Sequence, residues 1–245
     1  MRNAGRLLLP IGTTNYKKIC DNYYYVDKTL MIKDILDEGT EISLFTRPRR
    51  FGKTLNMDML RTFFEKQEED TSRYFTDKKI WQQGEAYTKH QGKYPVIYLS
   101  LKDANKFTWP DLYARLIETI RDEFFRHSEL NDSPKISNPE FYKKIIAGQA
   151  TEAEYSISIL RLSRMLREHY GQSVILIIDE YDTPIQAGYI NGFYNEAIQF
   201  IRDLFSSALK DNDNLAFGFL TGILRVAKES IFSGLNNIYV YSVLD

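Results

Sequence analysis

Apolar residues fall along this chain in two kinds of pattern. Short unbroken runs suit strands covered on both faces, and runs with a three-to-four-residue repeat suit amphipathic helices. Ile42–Phe45, Tyr94–Leu101, Val174–Ile178, Leu215–Leu220 and Ile238–Val243 are of the first kind. Between them lie helical repeats. Asp27 starts one that runs to Asp37 and stops at Gly39, and others cover Lys53–Glu65, Thr108–His127, Phe141–Ala147, Glu152–His169 and Asn191–Lys210. Leu9–Asn22 is turn-rich, Tyr23–Val26 extended, Leu130–Pro139 a loop, and a short helix is predicted at Thr71–Trp81. Strand and helix alternate over the whole length, which predicts one α/β domain with a mostly parallel central sheet between two helical layers.

Chemistry gathers where the first strand run ends. Ile42–Phe45 leads into Thr46-Arg47-Pro48-Arg49-Arg50-Phe51-Gly52-Lys53-Thr54, and the helical repeat opens at Lys53. A strand, a loop and a helix N-terminus in this order suit a phosphate: loop N–H groups turn inward and the helix end adds partial positive charge. Arg49, Arg50, Phe51, Gly52, Lys53 and Thr54 are the predicted nucleotide-binding residues, with Lys53 on the β- and γ-phosphates and the Thr54 hydroxyl on Mg²⁺. The general pattern asks for glycine at position 47, where this chain has Arg47-Pro48. That start has to turn within ordinary φ limits.

A second half of the site follows the Val174–Ile178 run, which ends in Asp179-Glu180-Tyr181-Asp182. Asp179 is the predicted Mg²⁺ carboxylate, acting mostly through water. Glu180, one residue on, is the candidate base that orients and deprotonates the attacking water. Thr221, at the end of the Leu215–Leu220 run, is positioned to sense the γ-phosphate, and Arg225 is a candidate cation for the same group. Asp182, Thr183 and Pro184 shape the loop around Glu180 without a chemical role. Tyr23, Tyr24 and Tyr25 either pack into the core or stack on a base.

Composition narrows the classes. The chain has 245 residues, a formal net charge of −1 and one cysteine, Cys20. There is no global basic field to attract nucleic acid and no internal disulfide framework. The N-terminal Leu7-Leu8-Leu9 is cut short by Pro10, and no run approaches the ~20 apolar residues of a membrane span. A cytoplasmic protein with no membrane contact is the expectation.

Taken together, Tyr24–Thr29, Arg47–Thr54, Ile178–Pro184, Thr221–Val226 and Ser233–Asn237 resemble the AAA-ATPase-like proteins of bacteria and some anaerobic fungi. That family's loop also has Arg-Pro-Arg-Arg-Phe before Gly-Lys. The resemblance implies a P-loop NTPase fold of the AAA type, with ATP and Mg²⁺ as ligands. It also implies a longer protein, in which a helical lid and commonly a nuclease-like domain with a Pro-Asp…(Asp/Glu)-x-Lys pattern follow this region. Here Pro110-Asp111 reads as a helix N-terminal turn, so contact with nucleic acid is expected only through a C-terminal domain that this sequence lacks. An Mg-dependent ATPase that couples nucleotide state to conformational change is the leading expectation. A nucleotide-dependent switch with little turnover is the alternative, and a protein partner or self-association is compatible with either.

Overall fold

Side chains along the strands alternate between two separate cores. On β3 (Val174–Asp179), Val174, Leu176 and Ile178 face one core, while Ile175 and Ile177 face the other. β1 (Ile42–Thr46) and β2 (Val96–Ser100) repeat the alternation: Ile42, Leu44, Ile97 and Leu99 go to the first core, Phe45 and Val96 to the second. A strand that must be apolar on both sides gives an unbroken run in the sequence, and that is what marked these elements. The computed structural model describes residues 8–223 and 238–241.

With β4 (Leu215–Gly222) and β5 (Ile238–Tyr241), these strands form a five-stranded sheet in the order β2-β3-β4-β1-β5. Every pairing is parallel. The sheet is therefore wholly rather than mostly parallel over the described residues. β1 pairs with β4 from Ile42↔Gly218 to Thr46↔Gly222, and with β5 from Ile42↔Ile238 to Phe45↔Tyr241.

The helices, in chain order, are α1 (Tyr16–Asn22), α2 (Leu30–Glu38), α3 (Lys53–Phe64), α4 (Glu85–Thr88), α5 (Trp109–Arg126), α6 (Pro139–Ile146), α7 (Glu152–Ser156), α8 (Ser158–Tyr170), α9 (Thr183–Asn191) and α10 (Tyr194–Leu209). Residues of α1, α2 and α3 build the second core, while residues of α5–α10 build the first. The result is a three-layer α/β sandwich of the P-loop NTPase type.

Several local expectations change. The single helix at Thr71–Trp81 is replaced by two 3₁₀ turns, Ser72–Tyr74 and Trp81–Gln83, because this stretch buries Tyr74, Phe75 and Ile80 without keeping a helical stripe. Asp27 sits one turn before the helix it was expected to cap. Its Oδ1 accepts from the Thr29 N–H (2.9 Å) and hydroxyl (2.7 Å), its Oδ2 accepts from the Lys79 N–H (2.8 Å), and Thr29 precedes α2. The Glu152–His169 repeat divides at Ile157 into α7 and α8, and a separate helix, α9, stands before α10. The turn-rich start contains α1, whose N-cap Asn15 accepts from the Lys18 N–H (2.7 Å).

At the N-terminal end of the sheet, ion pairs tie α3 to α5. Arg126 donates to Glu65, to Glu123 and to the Val96 carbonyl. Arg61 pairs with Glu65 (2.9 Å), and His127 lies 3.1 Å from Glu129. Glu65 and Glu123 are both buried. Burial pushes the Glu123 carboxyl up, but Arg126 and His127 more than offset this and hold it at about 2. A carboxylate depressed in the folded state contributes stability above its unfolded pKa of about 4.3 and loses it as pH falls toward the folded value.

The Glu123→Gln variant should therefore be less stable than wild type by roughly 3–5 kcal/mol near neutral pH, since it leaves Arg126 partly uncompensated in a buried site. The gap should close as pH is lowered from about 4.5 toward about 2, which urea unfolding at several pH values would measure.

Candidate nucleotide site

The loop after β1 turns at positions the general pattern does not name. Arg47 keeps an ordinary negative φ; the left-handed residues are Arg50 (φ 69°) and Gly52 (φ 77°). The first glycine of the general pattern is thus dispensable here, because the turn falls later. Gly52 is the N-cap of α3, so its open left-handed geometry leads straight into Lys53 and Thr54 at the helix start. The Arg47 N–H donates to the Gly222 carbonyl (3.2 Å), fixing the loop's entry against the end of β4.

Within the loop, the Lys53 ammonium donates to the Arg47 (2.9 Å) and Pro48 (3.0 Å) carbonyls. Burial pushes its pKa below the ordinary lysine value, against the pull of Asp179, Glu180 and Asp182. Arg49, Arg50, Phe51 and Gly52 are exposed, and among the described residues neither arginine forms an ion pair. The Thr54 hydroxyl likewise has no hydrogen-bond partner among the described residues.

The acidic half lies across β4. Asp179 is 1% exposed, and the Thr221 hydroxyl donates to its Oδ1. The same hydroxyl oxygen accepts from the Glu180 N–H (3.4 Å), and the Thr221 carbonyl accepts from the Tyr181 N–H (2.9 Å). Thr221 therefore bonds three consecutive residues of the acidic turn. Its hydroxyl is directed at Asp179, a connection that its place at a strand end did not reveal.

Glu180 itself is left-handed (φ 56°), a conformation that costs a non-glycine residue about 1–2 kcal/mol. The Thr183 N–H donates to its carbonyl (3.1 Å) and the Thr183 hydroxyl to its Oε2 (3.4 Å). Burial, then the charges of Asp179 and Asp182, push the Glu180 carboxyl above the ordinary range, while Lys53 pulls it back.

Asp182, read from the sequence as a shaping residue only, is 1% exposed. Its Oδ2 accepts from the Ile223 N–H (3.0 Å) and the Gln186 amide (2.7 Å), so it joins the start of α9 to the end of β4. Gly222 has no room for a side chain there: a Cβ would lie 2.5 Å from the Tyr181 ring and 2.8 Å from Asp182 Oδ1. Arg225, Ser233–Asn237 and the end of the last strand run lie outside the described residues.

Two cavities flank the start of α3. One, of about 380 Å³, includes Asp34, Glu38, Arg47, Lys53 and Thr221 in its walls, with Phe45 and Tyr241 stacked on each other at 4.7 Å. The other, of about 240 Å³, lies between the Leu9–Pro10 and Tyr24–Val26 segments and the Phe51–Asn56 stretch. Tyr24 is thus beside the loop, while Tyr25 packs edge-on against the buried Tyr16 (5.1 Å).

Among the described residues no helix is long and apolar enough to cross a membrane. No solved structure matches the chain. A curated protein described as "Uncharacterized protein in vnfD 5'region", from Azotobacter chroococcum mcd 1, is 29% identical over 242 residues. That alignment covers 97% of this chain and 41% of the relative, so the chain spans less than half of the relative's length. The family described as Predicted AAA-ATPase matches residues 10–232. With that match running from the segment before α1 to beyond β4, the chain belongs to the predicted AAA-ATPase family, whose description carries nucleotide binding with it.

Proposed function

We propose that this chain binds Mg·ATP on the Arg47–Thr54 loop and hydrolyses it, coupling nucleotide state to the ends of β3 and β4. The observation that carries this reading is the insertion of β4 between the loop strand and the acidic strand, with Thr221 bonded to Asp179 on one side and Lys53 facing the same carboxylates from the other. A cation at one strand end and carboxylates at the next but one are the two kinds of charge that a metal-bound polyphosphate requires.

In this reading Lys53 exchanges its two carbonyl partners for phosphate oxygens, and the exposed loop N–H groups from Arg49 to Gly52 complete the cradle. Arg49 and Arg50 add charge at its rim. Thr54 and Asp179 would hold Mg²⁺; a hydroxyl and a carboxylate are hard oxygen donors of the kind that ion takes alongside phosphate and water. When bound, the ion supplies charge neutralisation. Thr221 keeps Asp179 oriented and, from the central strand end, senses the terminal phosphate. Glu180 accepts the proton of the attacking water. Arg225 is the proposed cation for the transferred group.

A second reading is a switch with little turnover: burial and two neighbouring carboxylates push the Glu180 carboxyl upward, and only its ionised form serves as a base. Activity that turns on with rising pH would reconcile the two. The wider relative, more than twice the length of this alignment, leaves the partner of such a switch to the whole protein.

Lys53→Ala should lower ATP affinity at least about 100-fold, and with it the thermal shift of roughly 5–11 °C that saturating Mg·ATP gives wild type. Unchanged affinity would remove the loop from the site. Thr54→Ala should weaken binding in Mg²⁺ more than in EDTA, and calorimetric titrations under both conditions would separate the two; equal losses would argue against metal contact. Glu180→Gln should retain ATP binding and lose about 10²–10⁴ in hydrolysis rate. In wild type, hydrolysis should fall with decreasing pH through an apparent value above the ordinary glutamate pKa of about 4.3, since the base must be ionised. Hydrolysis in the glutamine variant equal to wild type would make Glu180 structural.

A further inference from the structure

Far from the phosphate loop, the outward face of α5 carries an open groove that the nucleotide chemistry does not use. It measures about 930 Å³ and lies between α5, the loop at Lys106 and Phe107, and the 148–155 stretch. Leu112, Leu116 and Ile120 turn inward to the first core, which leaves Asp111, Arg115, Glu118 and Arg121 along this face. Phe107 stands 84% exposed at one end. The Lys106 carbonyl accepts from the Asn191 amide (3.2 Å), which holds that end against α9.

The acidic groups of the groove are already engaged. Asp111 accepts from the Thr108 hydroxyl (2.6 Å), and Glu118 accepts from Arg115 (2.7 Å), which also donates to Asp103 (3.0 Å). Every polar group left over can donate. Lys106 forms no ion pair among the described residues. Arg121 directs Nε and Nη2 at the Ile146 carbonyl (3.1 and 2.8 Å), which leaves Nη1 without a partner among the described residues. Gly148 makes room for that guanidinium, since a Cβ there would lie 3.3 Å from Cζ. Tyr155 is 3% exposed, yet its buried hydroxyl has no hydrogen-bond partner. A hydroxyl left so is costly and calls for an explanation. Burial pushes its pKa up and the charge of Arg121 pulls it back, so the two groups stand close together.

The two free cations stand at opposite ends of the groove. Lys106 precedes α5, whereas Arg121 lies about 18 Å along the axis from the first residue of that helix, at about 1.5 Å per residue. A small carboxylate cannot reach both. An extended peptide rises about 3.3 Å per residue and covers that distance in about five. We propose that this groove binds an extended acidic peptide segment of a partner protein, with acidic side chains about five positions apart seated on Lys106 and Arg121. The carboxylate on Arg121 also accepts from the Tyr155 hydroxyl, and hydrogen bonds between charged groups are the strong ones. Apolar residues between the two acids pack on Phe107, Tyr113 and Ile117.

The test is fluorescence anisotropy on the full chain with fluorescein-labelled alanine–leucine peptides that carry two glutamates, either about five or about two positions apart. Wild type should bind the wider spacing about fivefold or more tightly, and binding should weaken as salt is raised. Lys106→Ala should weaken binding of that peptide about three- to fivefold, and Tyr155→Phe about fivefold. Tyr155→Phe should unfold at the wild-type temperature or above it, because the hydroxyl it removes has no partner in the folded chain. No saturable binding by wild type up to about 1 mM overturns the proposal, as does equal affinity for the two spacings. Unchanged affinity in either variant, with circular dichroism confirming the fold, overturns it too. Glutarate that displaces the peptide at equal concentration marks a small-acid site, and oligothymidylate that binds more tightly than the peptide marks a nucleic-acid site. Either result overturns the peptide as occupant.

Discussion

The arrangement depends on keeping a buried carboxyl group hydrogen-bonded and oriented. Asp179 is almost wholly removed from water at the end of a strand apolar on both faces. A polar group there is costly unless hydrogen-bonded. Thr221 supplies that bond from the neighbouring strand, and its oxygen and carbonyl also receive the next two backbone N–H groups. One residue therefore fixes the register of two strand ends and the turn that carries Glu180. Gly222 follows because Tyr181 and Asp182 occupy the space that a side chain would need.

The loop and the acidic turn use the same device in opposite ways. Both place a non-glycine residue in left-handed geometry, Arg50 in one and Glu180 in the other. At Arg50 the residue is exposed and the turn serves to lead the chain toward Gly52 and the helix start. At Glu180 the turn is tied by Thr183 and Thr221, so the carboxylate is held where Asp179, Asp182 and Lys53 all act on it. The opposite end of the sheet balances its buried charges by itself, through Arg126, Glu65, Glu123 and His127, and keeps α3 and α5 in place without drawing on the site.

What could be read in the sequence was what a two-sided sheet imposes on it. β1, β2, β3 and β4 are legible because their residues face apolar cores on both sides, and the loop and acidic turn because they sit at strand ends. α9 was not legible: Pro184, Ile185, Ala187 and Gly188 are all buried, so no polar face alternates with an apolar one. The 3₁₀ turns near Tyr74 and Trp81 hide for the related reason that they are too short to repeat. Contacts made between distant segments leave no local mark. The bond from Thr221 to Asp179, the role of Asp182 and the Arg126 cluster each join residues that only the fold brings together.

The position of β1 has a consequence for how this protein is made. Among the described residues, the strand that carries the loop takes both its neighbours from much later in the sequence, β4 on one side and β5 on the other. At about 5–20 residues per second, synthesis of the stretch between β1 and the end of β4 takes on the order of 10–35 s. For that time an apolar strand with both hydrogen-bonding edges open leaves the ribosome without its partners, the condition under which chains pair wrongly or aggregate. Meanwhile α2 and α3, which flank it in sequence, can cover only the face they share with Phe45. The loop is thus synthesised well before β4, whose end its first residue needs as a hydrogen-bond partner.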